Sequence, residues 1–553
     1  MRKLLVFSAC ALFTLSFSLS TTNAKTQNAA TDTMTAEKWR EDLHQLATEL
    51  PKVHKNLFHA MTPDQFNTAV RRLDERIPSL SRNQIIVELA RIVAMAGDGH
   101  TFIRLFPDSQ VGFRLYPLKL YLYKDGLFVQ AAGVEYSSVV GARVLKIGNT
   151  PVDEAYRMVR DLVPRDNEMG VKAASPFLLT IPEILNGLGI VDKVESGHYT
   201  VELNGKQMTI EVKPFPFEEI FGFLHGSPSP KWVDARNAAR APTPLWLKDR
   251  NNNYWFEYLP DSKTIYVQYN AVANKQDESV ADFFKRVFAF VESNPVDRFV
   301  IDLRLNGGGN NGLNWPLIYA LIRSDKVNQR GKLFAILGRQ TFSAAQNCVN
   351  QLERHTQVTF VGEPTAGNPN HYGDPRRIVL PNSGITVMAS TLWWQDMDPR
   401  DTRAWTAPSI ATELTSENYR NNVDPAMEGI AKYGSEKPIN DRLMEALQAD
   451  DIATTIKAYR EFKADPVHIY VNTEALINRL GYDLLGKNLI DQAIEVLKLN
   501  VESYPQSANV YDSLGEAYMR KGNKELAIKN YEKTLELNPA NPGARDALQA
   551  LRH

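Results

Sequence analysis

The sequence predicts an α/β core joined to an N-terminal helical subdomain, a small β-rich module and an all-α C-terminal domain. Three patterns predict it. Apolar runs alternate with helical spacing between residues 264 and 355, residues 111–215 alternate with period two, and residues 465–553 repeat at a fixed interval. At 553 residues the chain exceeds one ordinary domain. An apolar content of 43% with 23% charged residues suits packed globular cores. The net charge of −1, without a basic stripe interleaved with aromatics, argues against a nucleic-acid partner.

The first segment, "MRKLLVFSACALFTLSFSLSTTNA", reads as a secretory signal peptide over residues 1–24. Arg2 and Lys3 precede an apolar run, and small residues end at Ala24. A lipoprotein signal at Cys10 is the weaker alternative, because the apolar run continues past the cysteine. The protein is expected to be exported, to the periplasm or beyond, with no later stretch long enough to span a membrane. After cleavage only Cys348 remains, which excludes an internal disulfide and reads as a small buried residue.

Residues 36–105 carry apolar positions at helical spacing, with Ser81 as the N-cap of a helix ending at Gly97. Residues 111–215 form the PDZ-like module. "LKLYLYKDGLFVQAA" turns at Asp125-Gly126, a strand and helix follow around Asn149-Thr150-Pro151, and "HYTVELNGKQMTIEVK" turns at Asn204-Gly205. The core spans 216–430. Its first part, up to residue 262, reads as irregular, and "TIYVQYN", "RFVIDLR" and "LFAIL" supply strands separated by helices. Two Leu-Gly pairs, at 480 and 514, lie 34 residues apart, and Ala493 and Pro505 recur at the same interval as Ala527 and Pro539. That is the tetratricopeptide signature over 465–553, expected to pack on helices near 440–463.

The chemistry centres on "GRQTFSAAQN", where one hydroxyl, Ser343, sits at a strand-to-helix corner. A serine nucleophile needs a base and oxyanion donors. The loop "DLRLNGGGNNG" offers the Gly308 or Gly309 N–H, and the helix start offers the Ala344 N–H. His100 in "GDGHTFIRL" and His371 in "GNPNHYGD" compete as base, whereas His54, His59 and His355 sit on helical patterns. The alternative is that Ser343 only caps the helix. No His, Asp or Glu grouping has metal-ligand spacing, so neither metal nor cofactor is expected.

"DGHT", "DLRLNGGG", "TFSAAQ" and "VGEPTAG" together resemble the tail-specific (C-terminal processing) serine peptidases of family S41 and the tricorn core protease, over residues 36–430. The resemblance implies a ClpP/crotonase-like core and a serine-type hydrolase. A processing-peptidase lysine would fall in a Gly-Lys-Gly segment, which here reads Gly367-Asn368-Pro369, so the tricorn-like branch is the better match. That branch implies Ser343 as nucleophile, His100 as base, Gly308 and Ala344 as oxyanion donors, and a late acid as orienter, Asp401 or, nearly as well, Asp398. A serine precedes the histidine in that branch, whereas Gly99 does here. The implied substrate is a peptide or unfolded segment, with its C-terminus read by the PDZ-like unit, and Trp393-Trp394 could wall the cleft or pack in the core. The tetratricopeptide repeats imply a protein partner. The rival readings are a ligand-binding scaffold of the same fold, as in a retinoid-binding relative, and an esterase or amidase acting on small substrates.

Overall fold

The computed structural model describes residues 34–215, 231–434, 437, 439–448 and 451–552. The segment read as a signal peptide, with Cys10, lies outside the described residues. The chain divides into two compact units between Lys432 and Tyr433.

The first unit begins with helices Ala36–Val53, Pro63–Arg76 and Arg82–Ala94. The second and third each start with a capping box, Thr62 with Gln65 and Ser81 with Gln84, which satisfies two otherwise orphaned amides per helix. Leu43, Leu46 and Leu50 recur at three and four residues and are wholly buried. Strand β1 (Phe102–Ile103) follows.

A seven-stranded antiparallel sheet comes next. It comprises β2 (Leu118–Tyr123), β3 (Gly126–Gly133), β4 (Arg143–Ile147), β5 (Thr150–Pro151), β6 (Gly197–Leu203), β7 (Lys206–Val212) and β8 (Trp232–Asp234). The β6–β7 hairpin turns at Asn204 and Gly205, both with positive φ (52° and 74°), as a two-residue hairpin loop requires. The change of period near residue 110 does not separate two cores. Leu46, Ile86 and Val93 of the helices, Val129 and Tyr199 of this sheet, and Val387 far along the chain belong to one buried apolar cluster.

The second sheet is built from β9 (Tyr254–Leu259), β10 (Thr264–Tyr269), β11 (Arg298–Asp302), β12 (Leu333–Leu337), β13 (Thr359–Gly362) and, later, β16 (Ile410–Ala411), in the order β16-β13-β12-β11-β10-β9. All neighbours are parallel except the β9 edge. Helices Val280–Ser293, Trp315–Arg323 and Ala344–His355 connect successive strands, which is the α/β pattern the sequence predicts. Strand β9 and the short β8 fall in the stretch expected to be irregular, so that expectation is corrected; residues 216–230 of it lie outside the described residues. Strands β14 (His371–Val379) and β15 (Thr386–Trp394) form a hairpin that pairs with β1. Among the described residues no helix is long and apolar enough to cross a membrane.

The second unit is all-helical. Helices Glu474–Gly486, Ile490–Ser503, Ala508–Arg520, Lys524–Leu537 and Pro542–Arg552 carry the repeats. A Cβ added to Gly481 would lie 2.5 Å from Leu497, and one on Gly515 would lie 3.1 Å from Tyr531, so glycine is what lets each helix pair close. Leu443 and Tyr459, from helices Ile439–Gln448 and Ile452–Ala464, join the same apolar cluster, as expected of flanking helices.

Candidate active site

The site lies at the C-terminal ends of β11 and β12, where loops of a parallel sheet ordinarily carry ligands. After β12, Thr341 Oγ1 donates to the Leu303 carbonyl (2.9 Å) and accepts from the Gly338 N–H (3.0 Å), while the Phe342 N–H donates to the Asn306 carbonyl (3.1 Å). These bonds tie the β12 corner to the β11 loop. Ser343 then adopts φ 55° and ψ −127°, a left-sided conformation that costs a non-glycine residue about 1–3 kcal/mol. Its side chain makes no capping bond to helix Ala344–His355. Its Oγ instead lies 3.0 Å from Nε2 of His100.

His100 arrives from a segment 243 positions earlier. Gly97 turns the chain out of the third helix at φ 72°. Asp98, only 2% exposed, then anchors the loop. Its Oδ1 accepts from the His100 N–H (2.9 Å) and from Ser390 Oγ (2.7 Å), and its Oδ2 meets His54 Nε2 at 2.8 Å. Burial alone would raise the Asp98 pKa, but the His54 and Ser390 hydrogen bonds outweigh it and hold the carboxylate at about 2. Asp166 adds a second anchor, accepting from the Gly99 N–H (2.7 Å) and the Asn368 N–H (3.3 Å). Burial, reinforced by the Asp98 charge, raises the Asp166 carboxyl to about 7.

The imidazole of His100 stacks on Phe342 (centroids 4.5 Å apart) and on His371 (6.1 Å). A Cβ on Gly99 would lie 2.6 Å from the Phe342 ring, which explains glycine where the resemblance would place serine. Burial, and then the neighbouring His371, push the His100 pKa down to about 4, against opposing effects of Asp98 and the Tyr372 backbone. The ring is therefore neutral near pH 7 and able to accept a proton. Its Nδ1 is buried and makes no hydrogen bond of ordinary geometry.

The expected residues fall differently around this pair. Ser343 and His100 meet. Ala344 opens the helix, and among the described residues its N–H has no acceptor. Gly308 packs so tightly that a Cβ would lie 2.7 Å from Ser343 Cβ and 2.9 Å from the Ala344 nitrogen. Its own N–H, however, is donated to Asn306 Oδ1 (2.9 Å) and is not an open donor. Gly309 sits in a parallel bridge to Val272 that uses the Gly308 carbonyl and the Asn310 N–H, so its own N–H points away from that bridge. Of the two glycines the loop offers, Gly309 is therefore the one whose N–H is not taken up by Asn306.

Asp401 is not brought to His100. Its carboxylate pairs with Arg403 (2.8 Å), which also grips Glu353, while Asp398 pairs with Arg400. The carboxylate bonded to His100 itself is that of Asp98, through the His100 backbone N–H. His371 is held through Nδ1 by the Asn368 carbonyl (3.2 Å) and lies beside His100, away from a direct bond to Ser343. His54, read from the sequence only as a surface or core residue on a helical pattern, is the Asp98 partner. Trp394 donates to Asp374 (2.7 Å), and Trp393 is 41% exposed, so this pair does not pack together in the core. Cys348 is fully buried, which pushes its thiol up to about 12.

The tetratricopeptide repeat family matches residues 508–541. No curated protein sequence matches the chain. Among solved structures, mature CPAF complexed with lactacystin is similar at 13% identity with a TM-score of 0.50, covering 72% of this chain and 98% of that one. Mature CPAF alone gives 13% and 0.47, covering 76% and 99%. The photosystem II D1 C-terminal processing protease gives 12% and 0.35, covering 71% and 96%. Over the matched stretch the chain thus has the fold of CPAF, with a tetratricopeptide repeat at residues 508–541.

Proposed function

We propose that this chain is an exported serine peptidase that works through an acyl-enzyme. The observation that carries the reading is the 3.0 Å approach of His100 Nε2 to Ser343 Oγ, made by a neutral ring against a hydroxyl at a strained corner beside open amides. In the reaction, His100 takes the Ser343 proton as Oγ attacks a peptide carbonyl. The Ala344 and Gly309 N–H groups, with the positive end of helix Ala344–His355, hold the developing oxyanion. His100 then protonates the leaving amine, and water, deprotonated by the same ring, releases the acid. Asp98, with His54 and Ser390, keeps the His100 backbone in place, and Phe342 and His371 fix the ring plane.

The finer readings belong to the same proposal: the parallel sheet as a ClpP/crotonase-like core, the seven-stranded sheet as a PDZ-like module, and a peptide or unfolded protein as substrate. The repeats take a protein partner. Signal-directed export places the enzyme in the periplasm or outside the cell. Reaction of the full chain with a fluorophosphonate probe tests the core claim. Labelling is expected in the wild type and absent in Ser343→Ala. Folded wild type that stays unlabelled and cleaves no member of a peptide library overturns the reading.

A further inference from the structure

Away from Ser343, a partly enclosed cavity of about 110 Å³ lies between the faces of β2 and β3 and the C-terminal ends of the core strands. Lys119, Arg250, Arg304 and Arg339 line it, against one lining carboxylate, Glu363. Two of these cations are already matched. Arg304 forks to Asp424 (3.0 Å) and meets Asp302 (2.9 Å), and Arg339 is clamped on Glu363.

Arg250 is different. Among the described residues it has no carboxylate at ion-pair distance, and its Nε is buried without a partner. The acid that acts on it, Asp234, has both oxygens engaged, one by Arg236 (3.2 Å) and one by the Tyr419 hydroxyl (2.8 Å). Two more donors of the lining are orphaned in the same way: the indole N–H of Trp246, a residue only 8% exposed, and the Thr412 hydroxyl. Burial lowers the pKa of Arg250, and burial followed by the Arg250 charge brings Lys119 down to about 7. A buried donor left unpaired destabilises the fold, and three around one cavity, one of them on an unmatched guanidinium, describe a place for an acceptor that carries negative charge.

We propose that this cavity binds a carboxylate, held by Arg250 with the Trp246 N–H and the Thr412 hydroxyl. One carboxylate supplies a single negative charge and two oxygens for these donors. A phosphate dianion would crowd more charge against Glu363 and Asp302. Because Lys119 stands on β2, and Arg304 and Arg339 follow β11 and β12, an occupant also bridges the seven-stranded sheet to the strand ends that lead to Ser343. The binding does not depend on serine chemistry, so it is measured with the full chain carrying Ser343→Ala, which leaves peptides intact.

Isothermal titration compares three tetrapeptides: all-alanine with a free C-terminus, the same with a C-terminal amide, and an amide with one internal glutamate. Binding of the free acid alone identifies a chain end, and binding of the glutamyl amide identifies an acidic side chain. In either case Arg250→Met is expected to weaken Kd at least about tenfold, Arg250→Lys less, and Trp246→Phe, which keeps the ring and removes the N–H, severalfold. Heat from neither acidic peptide at millimolar concentration overturns the proposal. So does an affinity that Arg250→Met and Trp246→Phe both leave unchanged, or equal binding of the uncharged amide.

Discussion

Ser343 combines three demands at one position: a positive φ, a hydroxyl aimed at His100, and an amide neighbour left open by the helix start. Removing the hydroxyl (Ser343→Ala) or the ring (His100→Ala) should lower kcat by about 10⁴-fold or more, whereas His371→Ala should leave measurable turnover; steady-state peptide cleavage checks the order. Asp401→Asn should change kcat less than about threefold, because its carboxylate serves Arg403, not His100. The pH profile follows from the buried imidazole. As the proposed base, His100 works only when neutral, and burial lowers its pKa to about 4, so kcat/KM should hold steady down through pH 6 and fall as pH passes through about 4. The same depression links to stability. The unfolded ring titrates near 6.5, so its contribution is full above that value and is lost as pH drops towards 4. Gly308→Ala would drive a methyl to 2.7 Å from Ser343, and the expected outcome is a folded protein of lowered melting temperature with activity down about 10²-fold or more.

At the scale of elements, the His100 loop is held by pieces that sequence patterns do not connect. Asp98 joins the end of the first helix (His54), its own loop and β15 (Ser390). Asp98→Asn leaves His54 and Ser390 without their acceptor charge in a buried site and should destabilise the protein by about 3–5 kcal/mol, read by urea unfolding. Above pH 4 this carboxylate contributes its full stabilisation, which is lost as pH falls towards its folded value of about 2. The strands that lead to the candidate site, β10 to β12, were legible because buried parallel strands read as short runs dominated by apolar residues, as in "LFAIL". The β14–β15 hairpin and β9 were not. "HYGDPRRIV" mixes charges into a half-exposed strand, and "YWFEYL" is an aromatic edge strand with neither an alternating nor an aliphatic pattern. The choice of Asp401 failed for a local reason. "DPRDTR" places an arginine two residues after each aspartate, and each carboxylate closes on its own arginine.

For the whole molecule, the parts that period changes and repeats suggest are not all independent. The repeats are legible because a period of 34 residues survives in the sequence, and the structure keeps them with two flanking helices in a unit of their own. A chain ending at Lys432 should therefore fold and hydrolyse short peptides at near the full-length rate, with losses confined to protein substrates; compared progress curves decide this. The helical start and the seven-stranded sheet, by contrast, share one apolar cluster with β15, so neither can be removed without opening the other. That knot has a consequence for biogenesis. During synthesis the first helix, the histidine loop and the glycine turn all leave the ribosome long before Ser390 does. Until that residue closes on Asp98, the imidazole has no fixed seat against the hydroxyl. On the proposed peptidase reading, the nascent polypeptide is thus expected to stay hydrolytically silent through most of its own elongation, and to gain activity only once β15 locks home.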